Sequence, residues 1–219
     1  MAKAKKIFIC ANCGSESAKW IGKCPSCEEW NTYREEVLVK ETTHEEKRRT
    51  WSNKSDGKSG PKPVLLEEIV AGDTKRLVTP DRELNRVLGG GIVNGSLILI
   101  GGQPGIGKST LMLQLALGIP VKVLYVSGEE SEEQIKMRAD RISDKKSNCY
   151  ILTETNTTKI LTHAQQLGPD VIVVDSIQTL VSPHIESTPG SVSQVRECAG
   201  ELQRFAKETN IPVFIIGHI

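Results

Sequence analysis

Aromatic side chains are scarce, at 4% of 219 residues. That argues against an aromatic stacking platform as the main business of the chain. Net charge is nearly absent too. Lys and Arg number 28 and Asp and Glu 27, a formal balance of +1. A uniformly basic coat is excluded, so any nucleic-acid site has to be a local patch or a ring of loops. No apolar run approaches the ~18 residues of a membrane-spanning helix. The opening MAKAKK is followed by no apolar stretch of leader length. The expected location is the cytoplasm, with no membrane partner.

Cysteine is present but clustered. Four of the six (Cys10, Cys13, Cys24 and Cys27) fall at the N-terminus, while Cys149 and Cys198 stand alone. A disulfide framework would spread its cysteines more evenly. The spacing C-x2-C-x10-C-x2-C reads as two knuckles, each presenting two sulfurs to one metal. Pure sulfur ligation points to zinc ahead of iron, with a redox dithiol module as the alternative. Four protein ligands leave no open position, so the metal is expected to be structural. Gly14, Gly22 and Pro25 suit the knuckle turns. Trp20 and Trp30 are expected as the small core of this module, contact with a base or partner being the second reading. Lys19 and Lys23 could touch phosphate. The two lone cysteines are expected to be buried or partly buried small side chains.

The length suits one sizeable core plus a small accessory module. The expected division is a zinc-binding C4 module over 1–34, a polar linker over 35–63, and an α/β domain over 64–219. Apolar runs at 96–101, 121–127, 148–152, 170–175 and 212–217 are too continuous for half-exposed strands. Helical patterns at 108–118, 131–142, 157–167 and 192–209 lie between them. This alternation predicts a parallel sheet covered on both faces. Thr79-Pro80-Asp81 reads as an N-cap, a proline at N1 and a first-turn acid, opening a helix that ends near Leu88. Ser191 and Gln194 predict a capping box on the last helix. The sequence stops at Gly217-His218-Ile219, directly behind an apolar strand. A C-terminally incomplete domain is therefore expected.

Gly102-Gln103-Pro104-Gly105-Ile106-Gly107-Lys108-Ser109 matches G-x-x-x-x-G-K-[ST] between a predicted strand and a predicted helix. In such a P-loop the glycines let successive N–H groups converge on phosphate oxygens. The following helix start adds partial positive charge. Lys108 is expected on the β- and γ-phosphates, Ser109 on Mg²⁺ and Thr110 near the α-phosphate. Asp175, closing the strand Val171–Asp175, is expected to hold Mg²⁺, with Ser176 as a second hydroxyl near the metal. Glu129, just past the strand that ends at Ser127, is expected to polarise the attacking water. Glu130 either shares that role or caps the next helix. Arg138 and Arg141 either stack on adenine or are solvated. His218 is a candidate γ-phosphate sensor or a plain loop histidine. Residues 180–191 form a polar loop, read either as a flexible carrier of a polymer past the nucleotide or as an ordinary surface loop.

Several stretches together resemble one family over the whole chain. They are the four-cysteine knuckle with Trp20, Gly22 and Trp30; LNRVLGGGIVNGSLILIGGQPGIGKSTL; YVSGEES; VVDSIQTL; and STPGSVSQVREC. The combination is similar to the bacterial RadA (Sms) family of DNA-repair proteins. The resemblance implies a RecA-like P-loop ATPase, a hexameric ring around single-stranded and branched DNA. It implies DNA-stimulated ATP hydrolysis in recombinational repair, with recombinase or replication proteins as possible partners. It carries Lys108, Glu129 and His218 over as catalytic residues, Asp175 to Mg²⁺ and the four cysteines to Zn²⁺. It makes the 180–191 segment similar to a DNA-facing loop. In that family the chain continues with a second DNA-facing loop, a KNRFG motif and a Lon-like domain, none of which is in this sequence. As it stands, the chain is expected to bind ATP yet fail at ring assembly and DNA-stimulated hydrolysis, and its P-loop strand to keep an unpaired edge. The competing readings are a zinc-bearing ATP-binding adaptor and a RecA-fold kinase or signalling ATPase.

Overall fold

The computed structural model describes residues 4–39, 63–68, 76–143 and 147–218. The N-terminal part is a three-stranded antiparallel sheet, β1 (Ala4–Cys10), β2 (Glu16–Ser17) and β3 (Tyr33–Val39), in the order β2-β1-β3. Residues 35–39, expected in the linker, continue β3, whereas linker residues 40–62 lie outside the described part.

The larger part alternates strand and helix. Its elements are α1 (Arg82–Val87), β4 (Leu97–Gly102), α2 (Lys108–Gly118), β5 (Val123–Ser127), α3 (Glu132–Ile142) and β6 (Cys149–Thr153). These are followed by α4 (Thr157–Leu167), β7 (Val171–Asp175), α5 (Val192–Thr209) and β8 (Val213–His218). Strands β4 to β8 form one parallel sheet in the order β4-β8-β7-β5-β6. Each predicted apolar run is a strand, and each predicted helix is present. Among the described strands, β4 pairs only with β8, so its other edge is open.

The strands read as unbroken apolar runs because helices cover both faces. On one face Val123, Tyr125, Val171, Val173, Phe214 and Ile216 pack with Met112, Leu113, Leu115 and Ala116 of α2 and Ile135 of α3. On the other face Leu124, Val126, Ile172, Val174, Val213 and Ile215 meet Ile160, Leu161 and Ala164 of α4 and Cys198, Leu202, Phe205 and Ala206 of α5. Burying a large apolar side chain contributes about 1.5–3 kcal/mol, so the two layers supply most of the driving force. The helical spacing of Ile160, Leu161 and Ala164, and of Cys198, Leu202, Phe205 and Ala206, turns one stripe of each helix to the sheet.

Helix ends differ from expectation in two places. Asp81, not Thr79, caps α1, accepting from the N–H groups of Glu83 and Leu84. Pro80 therefore precedes the cap. Ser191 caps α5 by accepting from Gln194 N at 3.3 Å, but the Gln194 amide does not close a box, because the preceding loop uses it. The box occurs instead on α3, between Ser131 and Gln134.

Past β5 the backbone turns at Gly128 against the 3-10 turn Ile177–Thr179. A Cβ at Gly128 would lie 2.1 Å from Thr179 Oγ1 and 2.6 Å from Thr179 Cβ. Thr179 cannot simply swing away, since its hydroxyl donates to Ser176 O at 2.8 Å. Gly128→Ala is expected to cost about 1–3 kcal/mol, as overpacking does, read as a lower urea midpoint. Adding Thr179→Ala should recover part of the loss; a fully stable Gly128→Ala would contradict the packing.

Candidate functional site

Parallel strands end together, and their carboxyl ends carry the polar residues. Gly102 of β4 is in register with His218 of β8, and Ser127 of β5 with Asp175 of β7. The phosphate turn, the strand-end aspartate, the post-β5 acids and the terminal histidine thus share one edge of the sheet, the ligand edge of open α/β folds.

The turn before α2 has the backbone its motif demands. Gly105 and Gly107 have φ of +79° and +98°, and an added Cβ would meet nothing within 4 Å at either. Glycine is required there for its dihedral, not for space. No side chain caps α2, so its first N–H groups remain available to an anion. Lys108 is buried, and its ammonium donates to Gly102 O at 2.7 Å and Gln103 O at 2.8 Å. Ser109 is half-buried behind it, while Gln103, Pro104, Ile106 and Thr110 lie on the surface.

Asp175 is buried on the α2–α3 face of the sheet. The Tyr125 hydroxyl donates to Asp175 Oδ2 at 2.6 Å. Burial and the negative charge of Asp175 push the Tyr125 phenol far above its ordinary value, so it stays a proton donor. Arg138 of α3 turns into the same network. It donates to Glu130 Oε1 at 3.2 Å and to the Tyr125 hydroxyl at 3.3 Å. That placement answers two open readings: Arg138 is neither solvated nor free to stack, and Glu130 serves a guanidinium.

Glu129 projects from the same edge. Ser176 Oγ donates to Glu129 Oε1 at 2.7 Å, and His218 Nε2 lies 3.7 Å from that oxygen. Ser176, expected as a second metal hydroxyl, spends its proton on Glu129. Gln178 Nε2 donates to His218 O at 3.2 Å, tying the end of β8 to the turn after β7. Arg141 stays exposed, with its Nε–H donating to Met137 O at 3.3 Å.

The 180–191 loop, read either as a flexible carrier or as an ordinary surface loop, is pinned. Gln194 Oε1 accepts from Ser182 N at 2.8 Å, and its Nε2 reaches Ile185 O and Ser187 O at 3.3 and 3.1 Å. Ser182 Oγ donates to the buried Glu201 at 2.6 Å. A groove of about 790 Å³ lies elsewhere, between α1, the end of α2 and Asn148. Among the described residues, Asp81 is the only ionisable one in its lining, and none of those singled out for chemistry lines it.

The four N-terminal cysteines converge. Their sulfurs all lie within 4.8 Å of one another, with Cys10–Cys27 at 3.6 Å and Cys13–Cys24 at 3.5 Å. A tetrahedral zinc–thiolate shell has edges of about 3.8 Å, so the donor set fits such an ion. Burial pushes the Cys24 thiol up, but the N–H groups of Cys27 and Ser26 and the Tyr33 hydroxyl bring it down to about 6. Cys13 is drawn down by Ser15 N–H, yet burial and the three neighbouring sulfurs raise it to about 11. Four sulfurs this close cannot all ionise without a cation, and a divalent one removes the conflict. By contrast, burial lifts Cys149 to about 11 and Cys198 to about 12, which leaves both unreactive.

Trp20 and Trp30 overturn their core reading: they are 54% and 68% exposed, with both rings within 4 Å of where a Cβ on Gly22 would lie. Among the module's residues whose burial is described, the buried ones are Ile9, Cys10, Gly14, Cys24 and Tyr33. Its first knuckle touches α5, where Arg196 donates to Gly14 O at 3.3 Å and lies 3.6 Å from Glu16.

Comparison with known proteins agrees with both parts. Residues 61–219 match the AAA domain family, and residues 8–35 match a rubredoxin metal binding domain. The whole chain is similar to "DNA repair protein RadA" of Bacillus subtilis (strain 168), 48% identical over 222 residues. It is likewise 48% identical over 221 residues to the RadA of Streptococcus pyogenes serotype M6, and 46% over 224 residues to that of Listeria monocytogenes. The alignments take in 100% of this chain and 47–48% of each relative. The chain spans about half the length of the curated relatives it matches. Among the described residues no helix is long and apolar enough to cross a membrane.

The cluster makes a direct prediction. Purified protein should carry one metal ion per four-cysteine set, zinc by elemental analysis. Cys24→Ser, or a strong chelator, should release it and unfold residues 8–35 while the parallel sheet keeps its own melting transition. Metal content unchanged in Cys24→Ser would refute the four-thiolate site.

Proposed function

Because the chain belongs to the AAA domain family through residues 61–219, we propose that it is an ATPase of DNA repair. It is a motor that uses ATP hydrolysis to process branched recombination intermediates. The similarity to proteins named DNA repair protein RadA supports the setting. The observation that carries the chemistry is the arrangement of the 102–110 turn, Asp175, Glu129 and His218 along one sheet edge. In this reading single-stranded and branched DNA is the polymer substrate. The working form of the full-length protein is a cytoplasmic homo-hexamer, and recombinase or replication proteins are its partners.

The residues divide the work as follows. Backbone N–H groups from Gly105 to Thr110 cradle the phosphates. Lys108 trades the carbonyls of Gly102 and Gln103 for β- and γ-phosphate oxygens. Mg²⁺, when bound, neutralises charge on those oxygens; Ser109 and Asp175 are the residues that hold it. Glu129 accepts a hydrogen bond from the attacking water and keeps it in line with the γ-phosphorus. Ser176 orients that carboxylate through its 2.7 Å bond. His218, 3.7 Å from Glu129, exchanges this contact for the γ-phosphate and reports its presence. Zinc, when bound, staples the N-terminal module through Cys10, Cys13, Cys24 and Cys27 and takes no part in hydrolysis.

Three proteins test this together, assayed for ATP binding and for hydrolysis with and without single-stranded DNA. Wild type should bind Mg-ATP, and Lys108→Ala should not. Glu129→Gln should bind normally and hydrolyse about 10²–10⁴-fold more slowly, the usual worth of a positioned acid–base group. Lys108→Ala that binds like wild type would end the proposal. A Glu129→Gln protein that still supports repair in cells would turn it into an ATP-binding adaptor.

A further inference from the structure

The network behind Asp175 contains more than a nucleotide site needs. Tyr125 is fully buried in the middle of β5, and its hydroxyl is committed to Asp175 Oδ2 at 2.6 Å. The Arg138 guanidinium hovers at the same oxygen, 4.0 Å away, with the Tyr125 hydroxyl as its nearer partner at 3.3 Å. Glu130 holds that guanidinium more closely than Asp175 does. Oε1 accepts a hydrogen bond at 3.2 Å, and Oε2 makes a 2.8 Å ionic contact too poorly aligned to count as one. The Arg138 Nε–H is buried with no acceptor. Arg138 is therefore incompletely satisfied and already at the edge of ion-pair distance from Asp175.

That pair would matter. A neutral hydroxyl donating to Asp175 fixes the carboxylate and leaves its negative charge in place. A guanidinium closing on it would form a charge-assisted, bidentate pair and cancel the charge a cation needs. We infer that Tyr125 and Glu130 are positioning residues that reserve Asp175 for the metal, Tyr125 by fixing one carboxylate oxygen and Glu130 by holding Arg138 away from it. The inference rests on the ATPase reading and adds to it a residue pair that touches neither nucleotide nor metal. It also gives Glu130 a task distinct from that of its neighbour Glu129, although the two acids are adjacent in the chain.

The test is calorimetric titration of ATP into the full chain at a series of Mg²⁺ concentrations, with a metal-free series as baseline. For Tyr125→Phe and for Glu130→Gln the half-saturating Mg²⁺ should rise about tenfold, the usual size of such outer-partner effects. Metal-free ATP affinity should not change. The double variant Glu130→Gln with Arg138→Gln should return to within about twofold of wild type, since the competing cation is gone. Glu130 is a third exposed, so its substitution leaves the core intact even if Tyr125→Phe proves unstable. Magnesium curves that superimpose on wild type, or a double variant no better than Glu130→Gln, would overturn the inference alone. A wild-type protein that binds no Mg-ATP would overturn the ATPase reading, and this inference with it.

Discussion

A parallel sheet buried on both faces leaves polar side chains few places to stand. In β5 and β7 every residue is buried, and the polar exceptions Ser127 and Asp175 come last in their strands. A short polar side chain midway along either strand would face α2 and α3 or α4 and α5 with nothing to bond to, at a cost of roughly 1–3 kcal/mol or more; Tyr125, midway along β5, is long enough for its hydroxyl to reach Asp175 at the strand end. The same packing that drives folding therefore sweeps the ionisable groups to one edge and holds them on rigid elements. The phosphate turn emerges at that edge because β4 runs parallel to β8 and ends beside it, Gly102 opposite His218.

This constraint is also why so much could be read from the residues. Continuous apolar runs, punctuated by helical patterns, are the direct imprint of two-sided burial, and the strand bounds followed within a residue or two. The phosphate turn was readable because its backbone needs glycine at fixed places, a requirement that sequence displays openly. Asp175 stood out because a charged residue ending an apolar strand has little other reason to be there, and Glu129 because it lies two residues past the end of another.

What stayed hidden depends on partners far apart in the chain. Tyr125 sits in VLYVS like any hydrophobe, and nothing local says that its hydroxyl meets Asp175, 50 residues on. Gln194 sits three residues past a helix cap, so a capping box was the local expectation. Its amide goes instead to three loop carbonyls, a choice made by how the 182–187 segment folds over α5. The tryptophans failed for a different reason. A core of indoles was expected because the module is small, but four convergent sulfurs with Tyr33 and Ile9 already fill its centre. A metal replaces the hydrophobic core that so short a segment cannot build.

The two parts of the chain use opposite solutions to the same electrostatic problem. In the N-terminal module four sulfurs crowd together, and Cys13 and Cys24 are forced to opposite extremes of acidity; a cation settles the conflict. At the sheet edge the chain supplies its own cation, Arg138, and then restrains it with Glu130 and a tyrosine hydroxyl. An arginine left free there would pair with Asp175 and close the site to other cations. An arginine absent would leave two buried or half-buried acids facing each other across Tyr125. Holding the guanidinium at 4.0 Å commits neither oxygen of Asp175 to it. That balance, more than any single hydrogen bond, is what leaves a buried carboxylate available.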